Sequence, residues 1–185
     1  MERAYKVLSQ QVFEEGDYQL VPIRHEDQYD IMKWRNEQIN LLRQKEVLTI
    51  KEQNQYFNTV VNNLFTVNRP NQLLFSFLKN NVLIGYGGLV HIDWDSLNGE
   101  ISFLLDPKLM QPKTYSKLSD IYLPLIKEVA NQANLKKVYT YGYDLDGARF
   151  LPLYRNGFEL EAYLHEHVKV DGATIGVRIY SYLLC

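Results

Sequence analysis

The chain has 185 residues, 46% of them hydrophobic and 23% charged, a balance that suits one compact domain with a sizeable core and leaves little room for a second. Its formal net charge of −2 offers no broad basic surface for nucleic-acid phosphates, so a charged ligand has to be met by local groups. The lone cysteine, Cys185, excludes an internal disulfide framework; with no signal-peptide core after Met1 and no apolar run near the roughly 20 residues of a membrane helix, a cytoplasmic protein without membrane attachment is expected.

Periodicity alternates between strand and helix templates without an internal repeat or a Gly/Ser/Pro linker, so a single domain over 1–185 is expected, with 1–17 as an N-terminal extension. Residues 18–24 read as a first strand and Glu26 to Asn36 as a helix with Ile31 and Trp34 on one side. Thr49-Ile50-Lys51-Glu52 has the form of a capping box, opening a second helix whose apolar stripe is Phe57, Val60, Val61 and Leu64. Leu73 to Leu78 and Val82 to Asp93 flank Asn80-Asn81, residues that tolerate left-handed backbone and so predict a hairpin. Gly99 to Asp106 is a further strand, and the helix after it carries Ile121, Leu125, Val129 and Ala130 on one face. Lys137 to Tyr143 is the next strand, then a short helix from Gly147 to Asn156 that stops at Gly157. The last two strands, 159–170 and 174–184, meet at Asp171-Gly172. The order β-α-α-β-β-β-α-β-α-β-β predicts an α+β domain with a mixed central sheet of about seven strands. Pro124 and Pro152 fall inside two of the helices and are expected to kink them or displace their starts, with Ser119 or Asp120 as an alternative cap for the first.

Three islands carry a family resemblance. Ile84-Gly85-Tyr86-Gly87-Gly88-Leu89-Val90-His91-Ile92-Asp93-Trp94 with Glu100-Ile101-Ser102-Phe103-Leu104-Leu105-Asp106-Pro107 resembles the third and fourth strands of GNAT-superfamily N-acetyltransferases. Ile31-Met32-Lys33-Trp34-Arg35-Asn36, with the downstream segment Ile50 to Phe57, resembles the branch that acetylates amino sugars, including nucleotide-linked ones. Leu153-Tyr154-Arg155-Asn156-Gly157-Phe158 is similar to the closing segment of the superfamily. The likeness runs from about residue 18 to 184 and implies acetyl transfer from acetyl-coenzyme A to the primary amine of a small molecule, without a metal. An amino sugar is the favoured acceptor. A protein N-terminus, as in the ribosomal-protein branch, and a GNAT-fold binding protein that has lost the coenzyme are the alternatives, and the layout leaves room for a homodimer.

The resemblance also implies roles for residues. The coenzyme arm would lie along the fourth strand, at Ile101, Phe103, Leu104 and Leu105, where main-chain donors polarise the thioester and side chains are free to be apolar. The pyrophosphate would meet Gln111, Lys113, Thr114, Ser116 and Lys117; Thr114 and Ser116 stand where the family has small residues, so hydroxyls and lysine charge replace close backbone approach. Asp146 stands where many relatives have Asn.

An ammonium cannot attack a thioester, and Glu100, at the place of a glutamate many relatives carry, is the first candidate base, with His91 next. Tyr154 is the candidate acid for the departing thiolate, one position past the family's tyrosine place, which Leu153 holds. Trp34, Arg35, Asn36 and Asp93 are the acceptor candidates. His165 and His167 share a strand face without a third ligand, so no metal site is expected. Tyr139, Tyr141 and Tyr143 share a face as well, explained by packing or by an acceptor between them.

Overall fold

The computed structural model describes residues 3–184, so Cys185 lies outside the described residues. One eight-stranded sheet organises it, in the order β1-β2-β3-β4-β5-β6-β8-β7. The strands are β1 (Phe13–Glu15), β2 (Tyr18–Pro22), β3 (Leu73–Lys79), β4 (Val82–Asp93), β5 (Asn98–Leu105), β6 (Lys137–Tyr143), β7 (Glu159–Val170) and β8 (Ala173–Leu183). Every neighbouring pair is antiparallel except β5 and β6. The helices are α1 (Gln28–Glu37), α2 (Ile50–Tyr56), α3 (Asn62–Leu64), α4 (Pro112–Gln132) and α5 (Leu151–Arg155). The mixed α+β sheet is as expected, with β1 as the addition.

Local chemistry accounts for the joints. Asn80 and Asn81 hold φ of 48° and 63° and close the β3–β4 hairpin, and Asp171 and Gly172 do the same between β7 and β8 at 49° and 83°. At Thr49 both bonds of the capping box form, so α2 starts where the sequence says. The stripe after it is wound as a π turn over Phe57–Val61, which keeps Phe57, Val61 and Leu64 in the core. The N-terminal segment is packed onto the sheet: Tyr5 is buried and its hydroxyl donates to Leu74 O at 2.6 Å, while Phe13 pairs with Leu20. Three residues are too few for strand alternation to show, which is why β1 escapes a pattern reading.

The prolines divide: Pro152 displaces the start of its helix as expected, whereas α4 keeps an early start. α4 begins at Pro112 with Gln111 as its cap residue, not at Ser119 or Asp120, because proline in the first turn forfeits no helical bond and presets φ. It then runs through Pro124 to Gln132, carried by the buried face of Leu118, Tyr122, Leu125, Ile126 and Val129, whose burial offsets the one lost bond. Pro152 also sits in a first turn: Gly147–Phe150 is 3-10 helix, and α5 opens only at Leu151.

Candidate active site

The parallel pair β5–β6 is the weak seam of the sheet. Its register runs only through Asn98↔Lys137, Gly99↔Val138 and Glu100↔Tyr139, although β5 continues to Leu105 and β6 to Tyr143. Beyond Glu100 the two strands part around a cavity of about 230 Å³. Its walls include Ile101 to Leu105, Thr140 to Tyr143, Met110, Tyr115 and Leu123 on the α4 side, Phe150 and Leu153 from the α5 region, and Gln38 and Leu41 to Arg43 from the segment after α1.

Backbone direction along β5 follows from the glycines of β4. A β-carbon on Gly87 would stand 2.1 Å from Ser102 O and one on Gly85 2.7 Å from Leu104 O, so the even-numbered carbonyls of β5 turn toward β4. Strand alternation then turns the N–H and C=O groups of Ile101, Phe103 and Leu105 toward the open seam. Leu105 O is met there by Gln38 Nε2 at 2.9 Å. Gln38 Oε1 and Thr140 Oγ1 are buried in the same walls and have no hydrogen-bond partner among the described residues. A cleft with a free strand edge and two unmet polar atoms offers a polar ligand places to hydrogen-bond.

Glu100 sits where the strands separate. Its side chain is 7% exposed and ion-pairs with Arg43, which is half-exposed. Burial pushes the Glu100 carboxyl above its ordinary value, and the opposing attraction of Arg43 and His91 only partly restores it. The Arg43 guanidinium also lies over the Tyr141 ring, 4.7 Å from its centroid. Sequence reasoning missed Arg43, Gln38 and Thr140; nothing in Leu41-Leu42-Arg43-Gln44 marks a loop arginine as facing a strand across the sheet.

A second cavity, of about 410 Å³, lies between α1, α2 and the same sheet face. Ser102 belongs to the walls of both cavities, and Val90, in register with Glu100, lines the second. Arg35 faces it, donating from Nη1 to Tyr86 Oη at 2.6 Å and from Nε to Gln44 Oε1 at 2.9 Å. Glu52 also lines it, held as a carboxylate by the Thr49 backbone N–H that keeps its pKa low.

The remaining predicted residues are placed as follows. Trp34 is buried in the core. Asn36 pins the loop before α2, donating to Leu48 O at 2.9 Å and accepting from Leu48 N at 2.8 Å. Asp93 closes its own turn by accepting from the Asp95 and Ser96 N–H groups, which lower its pKa, and Asp146 caps the 3-10 turn through Ala148 N at 3.0 Å. His91 is the extra residue of a bulge in β4, at φ 50°, exposed but near enough to attract Glu100.

Tyr154 does not line the cleft; it is 51% exposed and accepts a hydrogen bond from Tyr180 Oη at 2.9 Å, while Leu153 faces inward. One residue along a helix turns a side chain by roughly 100°, and no kink at Pro152 reverses that. At the start of α4, Lys113 and Thr114 occupy the first turn, where N–H groups have no helical partner. Gln111 and Lys117 lie on the same exposed end of the helix, whereas Ser116 is engaged sideways, accepting from Arg155 Nη2 at 2.6 Å.

Among the described residues no group of three or more His, Cys, Asp or Glu is arranged to hold a metal, and no helix is long and apolar enough to cross a membrane. A family model described as the acetyltransferase (GNAT) domain matches residues 20–177. No curated protein matches the sequence. Among solved structures, spermidine N-acetyltransferase from Vibrio cholerae, in complex with CoA and spermine, is similar with a TM-score of 0.77 and 16% identity, over 91% of this chain and 96% of that one. The ribosomal-protein-S5-alanine acetyltransferase from Vibrio fischeri is similar at 0.73 and 17%, over 94% and 97%. The microcin C7 self-immunity acetyltransferase, in complex with acetyl-CoA and AMP, is similar at 0.71 and 14%, over 92% and 94%. Likeness at these identities speaks for the fold.

Proposed function

Since the chain belongs to the GNAT acetyltransferase family, we propose that it moves an acetyl group from acetyl-coenzyme A to a primary amine, with Glu100 as the base. The observation that carries this reading is the parting of β5 from β6 at Glu100, with a free strand edge on one side and a buried carboxylate of raised pKa at the apex. Acetyl-coenzyme A supplies the activated acyl group. The residues present fit its arm: Ile101 and Phe103 offer main-chain groups along the seam, and Thr140 Oγ1 and Gln38 Oε1 offer unmet side-chain ones. For the phosphates, the first turn of α4 offers N–H groups without a helical partner, with Lys113 in that turn and Lys117 a turn on.

Glu100 then takes a proton from the incoming ammonium so that the amine lone pair is free to attack, and its raised pKa makes it a better proton acceptor near neutral pH than an ordinary carboxylate. Leu153 occupies the place of an acid, so the thiolate leaves without a proton from that position.

The acceptor we assign to the cavity between α1, α2 and the sheet is a compact polar amine. Arg35, Glu52, Gln53, Gln72 and Tyr86 set hydrogen-bonding groups among apolar walls such as Ile31 and Phe57, the mixture that orients a small ring rather than an extended peptide. An amino sugar is the member of that class that its size and polar set suit best. A panel of amino sugars, amino-sugar nucleotides, polyamines and short peptides, with thiol release as the readout, tests this. Activity confined to peptide N-termini would remove the sugar assignment and keep the donor.

A further inference from the structure

The carboxylate assigned as the base already holds a cation. Arg43, in the segment between α1 and α2, ion-pairs with Glu100 and lays the same guanidinium on the Tyr141 ring. Its loop is held over the seam from two sides: Tyr143 Oη reaches Leu42 O at 3.5 Å, and Asn40 Nδ2 donates to Asp171 Oδ2 at 3.0 Å, at the tip of the β7–β8 hairpin. The charged and titratable groups facing Glu100 are Arg43 from this loop, His91 from β4, and Tyr139, its register partner, from β6.

An acceptor amine arrives protonated, and for Glu100 to take its proton the nitrogen must come within hydrogen-bond reach of that carboxylate. A side chain only 7% exposed has no open solvent face to offer a second cation while Arg43 is in place. The ring face beside the carboxylate is itself a cation site, so what Arg43 fills has the makings of an ammonium subsite: one anion and one aromatic wall.

We propose that Arg43 occupies the ammonium subsite of the acceptor and acts as a tethered competitor. The acceptor is a cationic amine that displaces it, and a neutral ligand of the same shape does not. This rests on the reading of Glu100 as the base. Arg43 is itself half-exposed, so leaving the subsite returns its guanidinium to water, and the closed form lowers apparent amine affinity in proportion to its population. While Arg43 is home it also opposes the burial that raises the Glu100 pKa, a task the incoming ammonium takes over.

The probe is ethylammonium chloride, titrated into protein carrying 13C-labelled glutamate, with the Glu100 carboxyl resonance identified by its loss in E100Q. Arg43→Met keeps the apolar stem and Arg43→Ala removes it; both should bind ethylammonium about tenfold or more tightly than the natural protein, and R43K should bind within about twofold of it. Ethanol should bind to none. Equal or weaker ethylammonium binding in the folded neutral variants overturns the proposal, and if the alanine variant does not fold, the methionine variant decides alone. The base assignment is judged separately: wild-type thiol release in E100Q, with tight ethylammonium binding in R43M, would move the base elsewhere and leave the competitor standing.

Discussion

Replacing Glu100 with Gln removes the proposed proton acceptor while keeping the shape of the side chain. The amide oxygen can still accept from Arg43, so the loop over the seam keeps a partner and the cleft its wall. A positioned general base contributes about 10²- to 10⁴-fold. Glu100 belongs at the lower end, because water can carry a proton from the half-exposed Arg43 side of the site, so a loss of about 10²-fold in kcat/KM is expected, roughly 2.7 kcal/mol of transition-state stabilisation. The pH profile separates this from a packing effect. Burial raises the Glu100 pKa, so the acid limb of kcat/KM in the natural enzyme should lie above the ordinary carboxylate range, and in E100Q that limb should vanish. Stability carries the same sign: a carboxyl whose folded pKa is raised contributes fully below its unfolded pKa and loses that contribution as pH climbs through the folded value. The stability difference between the natural protein and E100Q should therefore fall as pH rises through that window. Thiol release measured from acid to neutral pH, with an amine from the acceptor panel, makes the test. An unchanged rate with an unchanged acid limb would refute the assignment.

Three further outcomes follow from the geometry. Tyr154→Phe should leave thiol release within about twofold, since its hydroxyl is turned to Tyr180 and not to the cleft; a fall approaching the 10²-fold of a lost acid would restore the catalytic role. Gly87→Ala places a β-carbon 2.1 Å from Ser102 O and 2.5 Å from Tyr122 Oη, so β4 and β5 must separate; a loss of about 3 kcal/mol and a Tm fall of about 6–12 °C are expected in calorimetry, and an unchanged Tm would contradict the packing. Thr140→Val deletes an unpartnered buried hydroxyl at constant volume, so Tm should hold or rise while acetyl-coenzyme A affinity falls several-fold by titration; a fall in Tm with unaltered affinity would show the hydroxyl to be structural.

Much of the fold is readable because its joints are chemically marked. Asn80-Asn81, Asp171-Gly172 and Thr49 with Glu52 each fix one boundary by a backbone requirement that few residues meet, and the strands between them keep their apolar faces. Proline is legible only in part: the displaced start at Pro152 is as expected, and the early start of α4 at Pro112 is not. Pro112 and Pro152 are first-turn residues, which only the true helix starts reveal, and Pro124 is carried by a buried face whose total outweighs one hydrogen bond. Local rules price the loss and not the packing that offsets it.

The site is less legible, for a reason visible in the residues that decide it. Glu100 could be chosen because it begins a strand that the family resemblance marks, at the place of a glutamate many relatives carry. Arg43 could not, because its partner is 57 positions away and its own segment, between α1 and α2, has no periodicity to aim it. Trp34, Arg35 and Asn36 are adjacent in sequence, yet helical rotation of roughly 100° per residue sends them to the core, the cavity and the loop respectively. The same rotation separates Leu153 from Tyr154. A motif read as a string treats neighbours as a group, whereas a helix distributes them around its axis. The candidate site is therefore collected from single residues of several elements: Gln38 and Arg43 after α1, Glu100 on β5 and Thr140 on β6. What brings them together is the early end of β5–β6 pairing, a property of two strands jointly that neither strand's sequence states alone.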